Sequence, residues 1–203
     1  MPLARSVFAV AIAGVFACAT TSRASVIADW TFETSQPLGT NIQDSDWIHP
    51  EIGDGIATGL HFSADTDYSS PAGNGSAHSF TSTNWAPNDY YQFQVSTVGV
   101  SGTSGLQVLF DQTSSSTGPG HFALVYSTDN ATYSSFGAPY TVLGESLTWS
   151  ATSAISDSSY AFDLSSVPSL MNQATVYLRL VDQSTGSAGG GTVTKAATNR
   201  IDN

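Results

Sequence analysis

Alternation of apolar and polar residues with a period of two dominates the chain after its first two dozen residues. The clearest case is the segment at 91–95, where tyrosine, phenylalanine and valine alternate with glutamines. This alternation is typical of a strand with one buried and one solvated face. The pattern predicts strands at residues 91–95, 106–110, 122–126, 160–164 and 176–180.

Weaker strand patterns and turn-rich stretches fill the rest of the chain. Glycine- and serine-rich turns occur at 114–120 and 184–191, and only 167–172 could form a single helical turn. Many short strands separated by turns predict an all-β fold, an antiparallel β-sandwich of the jelly-roll kind seen in galactose-binding and carbohydrate-binding modules. The weaker strands are predicted at 26–32, 60–63, 77–81, 140–143 and 192–196.

The N-terminus has the three parts of a secretory signal peptide. Arg5 provides a basic start, residues 6–19 are small and almost wholly apolar, and the small-x-small site ends at Ala24. The apolar run is shorter than the roughly 20 residues that span a bilayer. We therefore expect a signal peptide at 1–24 and a single secreted or surface-exposed domain at 25–203. Cleavage after Ala17 is an alternative, and it would leave Cys18 as a lipid-bearing N-terminus.

The charge of the predicted domain limits its partners. Removing residues 1–24 leaves three basic residues against all sixteen acidic ones, a formal charge of −13. Such a surface repels phosphate backbones and anionic lipids, so nucleic-acid and membrane-surface binding are excluded. The chain's one cysteine, Cys18, lies in the signal peptide, and the domain therefore has neither disulfide nor thiol chemistry.

The last residues, 200–203, have the composition of the opening half of a strand. This pattern led us to expect that the domain lacks its final strand and whatever follows it.

A series of segments, taken in order along the chain, resembles a known family. The segments are 29–33, 73–76, 88–93, 122–129, 162–166, 176–180 and 198–203. Together they resemble the secreted jelly-roll proteins of environmental bacteria that end in a PEP-CTERM sorting signal. The resemblance implies export, processing at the C-terminus and association with exopolysaccharide or the cell surface. The Pro-Glu-Pro motif, apolar helix and basic tail of that signal are not in this sequence.

Two carboxylates at the ends of the domain form a candidate calcium site. In many jelly-roll modules an early Phe-Glu and a late Ile-Asp meet on adjacent strands and share a structural calcium. Glu33 and Asp202 match that pattern, and hard cations take carboxylate oxygens. The alternatives are two solvated strand ends, or an ion pair of one of them with Arg200. Looser acidic pairs are Asp44 with Asp46 and Asp65 with Asp67.

Three aromatic residues form a candidate carbohydrate-binding platform. Trp47 and Trp85 lie in polar, loop-like segments, and Tyr90 follows Trp85 at the start of a strand. Exposed indole and phenol faces stack on the C–H groups of sugar rings. The alternative is that both tryptophans plug the open ends of the sandwich.

The sequence gives little indication of catalysis. The sequence contains neither a Gly-x-Ser-x-Gly nor a His-Glu-x-x-His motif, and its four histidines are far apart. We interpreted the histidines as surface or strand-facing side chains. No compact glutamate and aspartate cluster suggests the carboxylate pair of a glycosidase. The expected function is therefore a non-catalytic, exopolysaccharide-associated surface or matrix protein, then a carbohydrate-binding module with polysaccharide as its partner, and last a secreted hydrolase.

Overall fold

The computed structural model describes residues 25–101, 105–144 and 149–203. The predicted signal peptide and Cys18 lie outside these ranges. Within them the chain is an all-β sandwich of antiparallel sheets, which confirms the predicted fold class. The strands are β1 (Ala28–Asp29), β2 (Ile52–Gly53), β3 (Gly55–Leu60), β4 (Tyr68–Ser69), β5 (Phe80–Ser82), β6 (Tyr90–Val95), β7 (Gln107–Ser114), β8 (His121–Ser127), β9 (Ser134–Ser135), β10 (Tyr140–Thr141), β11 (Ser159–Asp163), β12 (Val176–Asp182) and β13 (Asn199–Asp202).

Two sheets form the two layers of the sandwich. The six-stranded sheet has the order β10-β8-β12-β6-β3, and β9 also pairs with β8. The five-stranded sheet has the order β11-β7-β13-β5-β4, while β1 and β2 form a separate two-stranded ribbon. Strand β13 therefore lies between β7 and β5, pairing antiparallel with both.

Alternation along β12 separates an inner from an outer face of the six-stranded sheet. Leu178 and Leu180 are buried in the core, whereas Arg179 between them faces the solvent side. Cross-strand partners lie on the same face of a sheet, so the register extends this separation to the neighbouring strands. Arg179 consequently shares the outer face with Gln92 of β6 and Val125 of β8.

Aromatic side chains fill the space between the sheets. The ring of Phe80 lies 4.7 Å from that of Tyr91 and 5.8 Å from that of Phe32, measured between centroids. The Tyr91 hydroxyl accepts a hydrogen bond from Ser82 Oγ and donates one to the carbonyl of Asn199. Because Tyr91 belongs to the six-stranded sheet and the other two to the five-stranded one, these bonds join the two layers.

Two glycines in β3 make room for this aromatic core. A Cβ atom at Gly59 would lie 2.6 Å from Tyr68 Cε1, and one at Gly55 would lie 2.8 Å from Trp30 Cζ2. Any larger residue would therefore displace a buried ring. Strand β3 has little apolar alternation of its own because its inner positions hold only Gly55, Ala57 and Gly59.

The five strands with strong alternation are confirmed, with ends that shift by a few residues. Two of the weaker predictions are wrong. Residues 60–63 begin where β3 ends, and 192–196 form an isolated bridge and a turn instead of a strand. The single helical turn is present as a 3₁₀ turn at Pro168–Leu170. In the part of the chain that the structure describes, no helix has the length and apolar character to cross a bilayer.

Phe80→Ala should destabilise the domain by about 3–5 kcal/mol, because it empties the centre of the aromatic core. Urea-induced unfolding followed by tryptophan fluorescence measures this cost. Leu109→Ala is the matched control, since Leu109 is 63% exposed on the outer face of the five-stranded sheet. We expect the control to stay within about 0.5 kcal/mol of the parent. Equal costs for the two variants would contradict the described core.

Candidate functional site

The outer face of the six-stranded sheet holds an arginine between two tyrosine rings. The guanidinium carbon of Arg179 lies 3.9 Å from the centroid of the Tyr90 ring and 3.8 Å from that of Tyr133. Tyr90 is the first residue of β6, and Tyr133 comes from the loop between β8 and β9. Cation–π contact with both rings holds the side chain in place.

Amide side chains fix the edge of the same guanidinium. Arg179 Nε donates to Gln92 Oε1 at 2.8 Å, and Nη2 donates to Asn130 Oδ1 at 3.1 Å. The Tyr133 hydroxyl lies 3.0 Å from Gln92 Oε1 and 2.5 Å from Asn130 Oδ1. We call this surface, consisting of Tyr90, Gln92, Asn130, Tyr133 and Arg179, the Arg179 face.

The loop that carries Asn130 and Tyr133 is held by its own hydrogen bonds. Asp129 Oδ1 accepts from the backbone amides of Thr132 and Ala131 and from a serine hydroxyl at the end of β8. These hydrogen bonds lower the pKa of Asp129 to about 2, so its carboxylate stays charged at physiological pH. A pocket of about 230 Å³ opens beside this loop, lined by Tyr126, Ser127, Thr128, Asp129, Thr132, Ser134 and Ser169.

Both tyrosines of the Arg179 face are neutral hydrogen-bonding groups at physiological pH. Burial raises the pKa of Tyr133 to about 12, against the opposing effect of the Arg179 charge. Burial likewise raises the pKa of Tyr90. The surface therefore offers two phenol rings, two amide side chains and one fixed cation.

Trp47 and Tyr90, two of the three predicted platform residues, lie on the same side of the six-stranded sheet. Ile48 forms a bridge with Ala57 and is fully buried, so Trp47 beside it points outward and is 68% exposed. Tyr90 points outward because Tyr91 is buried in the core. The segment with Trp47 runs beside β3, which pairs with β6, so roughly 10 Å separates it from β6.

Trp85 does not belong to this surface, which corrects its predicted role in stacking against sugars. Only 5% of Trp85 is exposed, and its ring packs on those of His61, Tyr91 and Phe122. Its indole N–H donates to the carbonyl of Ser82. Both ring faces are therefore enclosed, and the three aromatic residues do not form a single platform.

Glu33 and Asp202, the predicted calcium ligands, both contact the turn between β4 and β5. Glu33 is exposed, and its Oε1 accepts a hydrogen bond from the backbone amide of His78 at 2.9 Å. Asp202 is buried, and its Oδ2 accepts from the Asn74 amide at 2.7 Å and from Ser76 Oγ at 2.5 Å. Each carboxylate is thus bound by N–H or O–H donors of the same turn.

A second carboxylate lies opposite Asp202 in the sheet. Asp111 of β7 pairs with Asp202 of β13, and its Oδ2 accepts from Asn74 Nδ2. Burial raises the pKa of Asp202, and the neighbouring Asp111 charge adds to the effect. Among the described residues, no group of three or more histidine, cysteine or acidic side chains is placed to hold a metal ion. Calcium at Glu33 and Asp202 stays a prediction.

One of the looser acidic pairs, Asp65 with Asp67, has local roles. Asp65 Oδ2 forms an exposed ion pair with Lys195 at 2.9 Å, and Asp67 Oδ1 accepts from the backbone amide of Asn41.

Thermal melting tests the calcium prediction. Bound calcium would raise the melting temperature, by the equivalent of about 2.7 kcal/mol at a concentration near 100 times Kd. We expect the difference between calcium and chelator to vanish in Asp202→Asn, whereas Asp65→Asn, which breaks only an exposed ion pair, should retain it. Equal midpoints of the parent protein in calcium and in chelator would contradict the prediction.

The interior holds a Ser-His-Asp array that sequence analysis missed. His61 Nε2 lies 3.1 Å from Ser82 Oγ, and His61 Nδ1 lies 3.2 Å from Asp89 Oδ2. This order of groups is that of a hydrolase triad. All three residues are buried, however, and Ser82 Oγ donates inward to the Tyr91 hydroxyl. The array joins the ends of β3, β5 and β6 and has no described opening to a substrate.

Asp182 lies beside this array as another buried carboxyl. Its Oδ1 accepts from the Ser184 amide at 3.2 Å, and its Oδ2 is buried without a hydrogen-bond partner among the described residues. Burial, with a contribution from the Asp89 charge, raises the pKa of Asp182 to about 7. The folded protein therefore holds a proton on Asp182 that the unfolded chain releases at a much lower pH.

Asp182→Asn should remove a loss of stability that occurs as pH rises from about 4 to 7. In that window the folded state binds the extra proton, so the free energy of unfolding falls with increasing pH, by up to about 4 kcal/mol from this group. Urea unfolding of parent and variant from pH 5 to pH 8 measures the difference between them. We expect the stability of Asp182→Asn relative to the parent to increase with pH. A constant difference across this range would contradict the raised pKa.

Sequence analysis selected only Tyr90 of the Arg179 face and did not select Gln92, Asn130, Tyr133 or Arg179. Arg179 was placed in a predicted strand, but its neighbours depend on the register between β12, β6 and β8. Tyr133 belongs to a loop whose position over the sheet depends on tertiary structure. An arginine alternating with buried leucines was a signal for an outward charge, although it did not identify the residues around it.

Comparison with known proteins finds no matching family model and no similar curated protein. Sandwich folds host many unrelated functions, so the fold alone assigns none to this chain. The function has to be argued from the chemistry of the Arg179 face and of the other sites described above.

Proposed function

We propose that the protein is an exported, non-catalytic β-sandwich of the cell surface or extracellular matrix, which binds polysaccharide through the Arg179 face. The observation that carries this proposal is the fixed Tyr90–Arg179–Tyr133 stack on a solvent-facing sheet surface. Polysaccharide binding uses aromatic rings for stacking and polar side chains for hydroxyl groups, and this surface offers both.

Rigidity of the surface supports a binding role. The arginine, the two amide side chains and the Tyr133 hydroxyl are linked in one hydrogen-bonded network. A surface whose side chains are already ordered loses little conformational entropy when it binds a ligand. Trp47, exposed on the same side of the sheet, extends the surface toward the edge beside β3.

The proposed location outside the cell rests on sequence. The N-terminal pattern of a signal peptide, the polar and acidic composition, and the resemblance to secreted jelly-roll proteins all favour export. A dedicated carbohydrate-binding module is the second candidate function, favoured by the same surface. The two differ in selectivity, because a module would bind one defined glycan and a matrix protein would bind a range of related polymers.

Affinity electrophoresis tests the proposal. Native gels contain glucuronoxylan, alginate, mannan or hydroxyethylcellulose, and the migration of the protein is compared with that in a gel without polymer. We expect retardation by at least one polymer, weakened by about 2- to 10-fold in Tyr133→Ala because half of the aromatic stack is lost. Trp47→Ala should weaken the retardation as well.

Leu109→Ala is the matched control, because it removes an exposed apolar side chain from the opposite sheet. It should migrate as the parent does. Thermal melting shows that each variant is folded. Unaltered retardation of folded Tyr133→Ala and Trp47→Ala would contradict a site on the Arg179 face, and mobility unaffected by every polymer would contradict polysaccharide binding itself.

A further inference from the structure

Arg179 carries a positive charge that its neighbours do not balance. Its described contacts are to two phenol rings and to the amide oxygens of Gln92 and Asn130, all of them neutral. Among the described residues, Lys195 pairs with Asp65 and His61 Nδ1 lies 3.2 Å from Asp89 Oδ2, and neither contact involves Arg179. In a domain with so many acidic residues, an ordered arginine without a carboxylate partner leaves a local site for an anion.

Two acidic residues act on the tyrosines of this surface. The Asp129 carboxylate accepts hydrogen bonds from the amides of its own loop, and its charge contributes to the raised pKa of Tyr133. The Asp44 charge contributes to the raised pKa of Tyr90. The described residues therefore place no carboxylate in an ion pair with the guanidinium.

The geometry of the guanidinium selects the kind of anion. The centroids of two tyrosine rings lie 3.9 and 3.8 Å from its carbon, so an incoming anion reaches the guanidinium through its N–H groups. Nε and Nη2 make the described hydrogen bonds, whereas Nη1 makes none of those found among the described residues. The remaining N–H donors of Nη1 and Nη2 form the planar fork that binds a carboxylate through two oxygens.

The charge of the whole domain limits how many anionic groups the ligand carries. A formal charge of −13 after residue 24 repels a densely charged polymer over long distances. A direct ion pair between Arg179 and a ligand carboxylate still forms at physiological ionic strength, where charges more than about 8 Å apart are largely screened. The site therefore suits isolated carboxylates spaced along an otherwise neutral chain.

We infer that Arg179 binds the carboxylate of a uronic acid unit in a sparsely charged polysaccharide, with Tyr90 and Tyr133 flanking the sugar. This inference rests on the proposed polysaccharide binding and adds the chemical class of the ligand. Arg179 is thereby the specificity-determining residue of the Arg179 face, and the tyrosines supply contacts that a neutral sugar would share.

NMR titration of the ¹⁵N-labelled protein tests the carboxylate contact. The probes are methyl glucuronoside and methyl glucoside, which differ only at the carboxylate. The Arg179 Nε–H resonance is assigned by its absence from the spectrum of Arg179→Lys. We expect methyl glucuronoside to shift this resonance with at least roughly tenfold higher affinity than methyl glucoside, the ratio typical of one charge-assisted hydrogen-bonded pair.

A polymer pair provides a second test. Glucuronoxylan is compared in affinity gels with the same polymer after its uronate carboxyls are reduced to alcohols. We expect reduction of the polymer to abolish most of the retardation of the parent protein. We expect the native polymer to retard Arg179→Gln no more than the reduced polymer retards the parent.

The outcomes separate the inference from the proposed function. Equal affinity for both methyl glycosides, or equal retardation by native and reduced xylan, would overturn the carboxylate inference and leave polysaccharide binding in place. An Arg179 resonance that neither glycoside shifts would overturn the inference as well. If none of the polymers in the affinity gels described above retarded the protein, that result would instead overturn the proposed function.

Discussion

Packing of aromatic rings between two antiparallel sheets is the interaction on which the rest of this structure depends. The rings of Phe80 and Tyr91 meet at the centre, and the Tyr91 hydroxyl binds groups of the opposite sheet. Burial of these large side chains provides most of the driving force for folding. It also determines which residues of each strand face inward.

The outer surface follows from that inner packing. Because successive residues of a strand point to opposite faces, burying Tyr91 and the leucines of β12 turns Tyr90, Gln92 and Arg179 outward. The register then aligns Gln92 with Arg179, and the loop after β8 adds a second ring. A slip of one residue would bury the arginine and dismantle the site.

Much of the fold could be predicted from sequence, but only part of the candidate site. Period-two alternation located the five main strands, because burial on one face requires it. Strand β3 was missed because glycines occupy inner positions where apolar residues would be expected. The rings of Tyr68 and Trp30 pack against these glycines, and that contact is not visible in the sequence. Trp85 lies in a polar segment, yet contacts with His61 and distant rings bury it. The partners of Arg179 could not be foreseen, since strand register is not visible in local sequence.

Mapping of backbone amide chemical shifts with a glucuronate-bearing xylo-oligosaccharide shows directly whether the Arg179 face binds the ligand. We expect shifts to concentrate at Tyr90, Gln92, Arg179 and the loop with Asn130 and Tyr133, while the outer face of the five-stranded sheet around Leu109 stays unchanged. Shifts concentrated on the five-stranded sheet or at the turn beside Asp202 would contradict it.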